Sequence, residues 1–132
     1  MIEETQIVRV RSGLFALLAA ALPLAGSQAL AHHSFAAYFL TDEIITIEGV
    51  VTEWWFQNPH TRIYLEVTNE DGEVEEWMAE GGGRNVLHRR GWTDETIQPG
   101  TRLTIVGNPS RDGSNTIGWD SLTLEDGSAV GP

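Results

Sequence analysis

The chain has no cysteine and no lysine; its eight basic residues are all arginine. Without cysteine there is no disulfide framework, no thiolate metal site and no thiol nucleophile. Without lysine there is no amine base and no phosphate-cradling Gly-Lys-Ser/Thr loop, and Gly81–Gly83 has no parallel βαβ setting around it. No G-x-S-x-G occurs, and none of the many carboxylates is marked as one of a catalytic pair. Net charge is −11. Binding to a phosphate backbone depends on clustered Lys and Arg, so nucleic acid is excluded as the expected partner. Such a charge favours solubility and attracts cations.

A long hydrophobic run is missing too. The longest, "LFALLAAALPLA", falls short of the roughly 20 residues a membrane span needs and is broken by Pro23. It follows Arg9 and Arg11 and precedes Ala29-Leu30-Ala31, so it reads as a secretory signal peptide over 1–31, cleaved after Ala31. An uncleaved N-terminal anchor is the alternative. Cleavage leaves 32–132, one small domain of about 100 residues, with no membrane span. Export without cysteine fits a bacterial periplasm.

Five segments have strand character: 44–56, 61–68, 73–80, 101–107 and 115–124. In 61–68, Ile63, Leu65 and Val67 alternate with Arg62, Tyr64 and Glu66, which predicts one buried and one wet face. Gly49 suggests a bulge or bend in the first strand. Asp71-Gly72, Gln98-Pro99-Gly100 and Asp112-Gly113 are turn signals. Gly81–Gly83 reads as a flexible loop, and Arg84–Arg90 as two helical turns stopped by Gly91. The order β-β-β-α-β-β, with a long first strand, predicts an all-β, five-stranded OB-like barrel with one short helix. An open β-sandwich is the other solution.

Five tryptophans are many for this length. Most are expected in the core, where large rings add buried area. Trp54 and Trp55 are strand neighbours and must face opposite ways. One of them, with Tyr64, could form a ligand face for a protein or an oligosaccharide.

Chemistry points to histidine. Cleavage after Ala31 leaves His32 at the terminus, offering its α-amine and ring Nδ1 together. A third nitrogen from another imidazole completes a histidine brace, a T-shaped set suited to Cu(II). His60, after the rigid Asn58-Pro59 turn, is the best third ligand; His33 is a possible further one. The terminus reaches His60 if 35–43 packs back on the barrel, with Phe35, Tyr38 and Phe39 as anchors. Glu53 or Glu80 could add an oxygen. The plainer alternatives are a frayed terminus for His32 and His33 and a backbone-bonded turn residue for His60. His88, beside Arg89 and Arg90, reads as a surface residue.

The stretches "AHHSFAAYF", "GVVTEWWFQNPHTRIYLEV", "GGRNVLHRRGW", "QPGTRLTIVGNPSRDG" and "LEDG" resemble the secreted bacterial family catalogued as domain of unknown function 6152. The resemblance spans about residues 31–127. It implies export and a single small β-domain, and it places both histidine stretches in the family signature. It implies no activity.

The expectation is therefore an exported, periplasmic binding protein rather than an enzyme, holding copper or another divalent metal at His32, His33 and His60. A metal-free module binding a protein or oligosaccharide through Trp54 or Trp55 and Tyr64 is the alternative. A histidine-brace copper oxidase ranks third.

Overall fold

The computed structural model describes residues 35–131. The proposed signal peptide, His32 and His33 lie outside the described residues.

The elements run α1 (Phe35–Tyr38), β1 (Ile45–Trp55), β2 (Arg62–Thr68), β3 (Val74–Glu80), α2 (Arg84–His88), β4 (Arg102–Pro109) and β5 (Thr116–Leu124). The strands close in the order β1-β2-β3-β5-β4, a five-stranded OB-like barrel. Four of its five seams are antiparallel; β3 and β5 close it in parallel through Met78–Glu80 and Thr116–Gly118. β1 serves two neighbours. Its first half pairs with β4 and its second with β2, the exchange falling at Val50. The register shift lies between Val51 and Glu53 rather than at Gly49. Residues there move from one partner to the other, and the ladder slips beyond the crossing.

Alternation decides the core. Ile63 and Leu65 from β2, Leu103 and Ile105 from β4, and Ile117 from β5 are fully enclosed. Burial of each such side chain contributes about 1.5–3 kcal/mol. The glycine loop after β3 is held rather than loose. The Gly81 N–H donates to the Thr61 carbonyl at 2.9 Å, and the Thr61 hydroxyl donates to the Gly82 carbonyl at 2.8 Å. α2 is shorter than the sequence suggests, ending at His88, with Arg89 and Arg90 in the following turns.

The segment before β1 is fastened to the barrel. Phe39 is buried and bridges Ser110. Asn108, itself buried, donates its amide to the carbonyls of Leu40 (3.1 Å) and Glu43 (2.6 Å). The Arg111 Nε donates to the Ala36 carbonyl at 2.7 Å. Phe35 stacks on Phe39 with ring centroids 4.5 Å apart. Tyr38 does not act as an apolar anchor: it is 56% exposed, and its carbonyl accepts the Arg111 N–H.

Candidate functional site

The residues 58–60 leave β1 through a cis Asn58-Pro59 peptide and arrive at β2. The Asn58 Oδ1 accepts the Asn85 N–H at 3.2 Å, which ties this loop to α2. His60 follows, with 48% of its side chain exposed. Its Nδ1 lies 3.1 Å from Glu80 Oε1. A carboxylate can only accept, so this contact is favourable when Nδ1 carries a proton. Among the described residues Nε2 has no partner.

Register makes this pair. Arg62 at the start of β2 stands opposite Glu80 at the end of β3, which puts the Glu80 side chain beside His60. The Arg62 Nε lies 3.5 Å from Glu80 Oε2, an electrostatic contact without hydrogen-bond geometry. The same row extends both ways. Trp55 of β1 is opposite Arg62, and Gly118 of β5 is opposite Glu80. Gly118 is a seat: a side chain there would strike the Phe35 ring. The row across the outer wall is thus Trp55, Arg62, Glu80, then Phe35 resting on Gly118. Gly118, the seat of the Phe35 ring, stands one strand over from Glu80, a separation of about 4.8 Å between neighbouring strands.

The other expected residues fall as follows. Trp55 is 44% exposed and shares the outer wall with the half-buried Tyr64. Trp54 points to the other side. Its Nε1 donates to the Thr93 carbonyl at 3.1 Å, and its ring packs on Phe56 and Trp92. Trp54 is therefore part of a plug at one end of the barrel, not of an outer face with Tyr64. Glu53 stands opposite Tyr64 and away from His60 in the register. His88 uses Nδ1 against the Trp92 carbonyl at 3.2 Å, a bond that finishes the helix turn. No cluster of three or more His, Asp or Glu side chains able to hold a metal occurs among the described residues. No helix among them is long and apolar enough to cross a membrane.

Sequence reasoning placed Glu80 only as one carboxylate of two. The missing signal was pairing register, since 20 residues separate it from His60 along the chain.

Residues 20–129 match a family described as a family of unknown function, DUF6152. No curated protein matches the sequence. Among solved structures, the chain is similar to a mitochondrial single-stranded DNA binding protein from S. cerevisiae. The TM-score is 0.47 and the identity 10%, over 63% of this chain and 94% of that one. A likeness of that size says nothing of what this chain binds.

Proposed function

The chain belongs to the DUF6152 family, and from that premise we propose that it is an exported, periplasmic metal-binding protein whose site is completed by its own processed terminus. Copper is the metal the donor set suits. His60 Nε2 supplies one nitrogen; the α-amine and ring of His32 supply the others once the chain is cut after Ala31. His33 is a further donor of the same kind. The role is to carry or buffer the metal, or to hand it to a periplasmic protein, rather than to turn over a substrate.

One observation carries the reading: the His60–Glu80 pair at 3.1 Å. An imidazole whose Nδ1 faces a carboxylate can be held in the tautomer and ring plane that leave Nε2 to bind, an arrangement common behind a metal-bound histidine. The Arg62 Nε lies 3.5 Å from the other Glu80 oxygen, on the same carboxylate that faces the ring. Phe35, three positions after His32, is seated on Gly118, which stands opposite Glu80 in the register, and this supports the same reading. Nitrogen donors in a T-shaped set favour Cu(II) over other divalent ions. The negative net charge supports cation rather than nucleic-acid binding.

The metal-free alternative keeps one specific support. Trp55 is exposed beside Tyr64 on the outer wall, a face able to stack on a neutral sugar or a protein side chain.

The test is Cu(II) titration of the protein beginning at His32, followed by electron paramagnetic resonance. Tight one-to-one binding with nitrogen-rich tetragonal parameters is expected. It is lost in His60→Ala and in a chain with one residue added before His32. Binding indifferent to both changes would sink the proposal and leave the Trp55 face as the site to probe.

A further inference from the structure

One seam of the barrel is short. β3 pairs with β2 along its whole length, from Arg62 opposite Glu80 to Thr68 opposite Val74, but meets β5 only through Met78–Glu80. Its first half, Val74–Trp77, therefore has a strand on one side and none on the other. Main-chain groups point alternately to the two sides of a strand. The Met78 N–H donates to the Asn115 carbonyl at 3.0 Å, on the β5 side. Glu76 and Val74 aim their N–H and C=O the same way, and those groups have no hydrogen-bond partner among the described residues. The β4–β5 turn comes near without filling the place: the Asn115 amide reaches only the Glu75 carboxylate, at 3.5 Å. Val74 is 63% exposed.

An open edge is a template for a further strand, and charge decides which strand. Glu66 and Glu76 stand directly opposite each other on β2 and β3, both exposed. The same alternation makes them a non-hydrogen-bonded pair, the kind with the closer side chains. Like charges so placed are destabilising, and neither carboxylate has an ion pair among the described residues. Guarding the edge against aggregation accounts for Glu76 but not for Glu66, because β2 has a neighbour on each side. No basic residue occurs between Arg62 and Arg84, while Glu70, Asp71, Glu73 and Glu75 add to the same hairpin. A second copy of this chain would set these carboxylates against their own images. A cationic segment relieves them.

We propose that the Val74–Trp77 edge is a docking site for an extended, arginine- or lysine-bearing segment of a partner protein, which adds to β3 as a further strand. Val74 and Glu76 each give it one N–H and one C=O, so main-chain bonds set its direction and register. Side chains of the added strand alternate between faces. On the outer face, an apolar side chain covers Val74. The next residue on that face, a cation, lies beside Glu76 and offsets its repulsion with Glu66. The edge is separate from the His60 pair: about 13 Å of strand lies between Glu76 and Glu80. It stands whether or not that imidazole holds a metal.

The experiment uses the chain beginning at His32, with its amides isotope-labelled for NMR, and a capped hexapeptide of alternating arginine and valine. Saturable shifts are expected at Val74–Trp77 and Glu66, and none with the matching glutamate–valine peptide. Two N-methylated forms of the first peptide, one blocked at the arginine amides and one at the valine amides, separate backbone from charge. One should lose binding and the other keep it, since only one set of amides faces β3. On the protein side, Val74→Pro removes an N–H that makes no bond to β2 and should weaken binding several-fold. Glu66→Gln and Glu76→Gln should each weaken it and reduce its dependence on salt; they cover a folding failure of the proline variant. Equal binding by both N-methylated forms overturns strand addition. So do shifts centred on Trp55 and Tyr64, or no shifts at all. Broadening of 74–77 that grows with protein concentration, without peptide, puts a second copy at the edge and overturns the cationic partner.

Discussion

Two polar clusters sit on this barrel, and they are built differently. At the β4–β5 turn, the Ser110 hydroxyl donates to Asp112 Oδ1 at 2.9 Å and contacts the Ser114 hydroxyl at 3.1 Å. The Ser114 N–H also donates to Asp112 at 3.0 Å. The Ser114 hydroxyl and N–H, with Ser110, hold the Asp112 carboxyl down at about 2. The bonds of that cluster are spent within seven residues of sequence, Ser110 to Thr116. At the other cluster, His60, Glu80 and Arg62 meet across two strands, and the half-exposed imidazole has no partner at Nε2 among the described residues. A polar cluster that closes on itself stabilises a turn. One that leaves a nitrogen without a partner can bind something.

That contrast can be broken by substitution. The largest effect is expected from His60→Ala, which removes the proposed ligand and should abolish tight Cu(II) binding by titration calorimetry, with little change in melting temperature. Glu80→Gln keeps the shape but weakens the hold on Nδ1. It should reduce copper affinity roughly 10- to 100-fold, again at nearly unchanged stability. Ser110→Ala should do the opposite. It strips a buried hydroxyl from the turn, should cost about 1–2 kcal/mol in urea unfolding, and should leave copper affinity unaltered.

A smaller effect sharpens the same contrast by pH. Asp112 has a folded-state pKa depressed below its ordinary value of 3.8. Its stabilisation is therefore present above that value and disappears as pH falls toward about 2. Asp126, held down by Ser128, acts in the same direction. Denaturation midpoints should fall between pH 4 and pH 2, and Asp112→Asn should flatten that part of the profile. Smallest of all, Trp55→Ala on the outer wall should change stability by no more than about 0.5 kcal/mol.

How much of this could be read from the chain depends on the range of each interaction. The barrel was legible because its signals are local. Ile63, Leu65 and Val67 announce the inner face of β2, and Asp71-Gly72 and Asp112-Gly113 mark the reversals. The opposite directions of Trp54 and Trp55 follow from strand geometry alone, and the structure has Trp54 packed and Trp55 exposed. The place of the bulge was not legible. Gly49 offers the conformational freedom, but the slip occurs at Val51–Glu53, where β1 changes neighbours. Glu80 as the partner of His60 was not legible either, because nothing within either segment records which residues a folded sheet sets opposite each other. The stacking of Trp119 on Trp92 belongs to the same class: the rings were visible, their contact was not.

The fastening of residues 35–43 has one more consequence. Phe35 on Gly118, Asn108 on Leu40 and Glu43, and Arg111 on Ala36 together make the stretch before β1 a short leash. Under the metal proposal, a donor atom carried just upstream of Phe35 would act on His60 as an intramolecular group, at an effective concentration in the millimolar range or above. On that proposal, loosening the leash by Asn108→Ala or Arg111→Ala would lower the local concentration without touching a proposed nitrogen ligand.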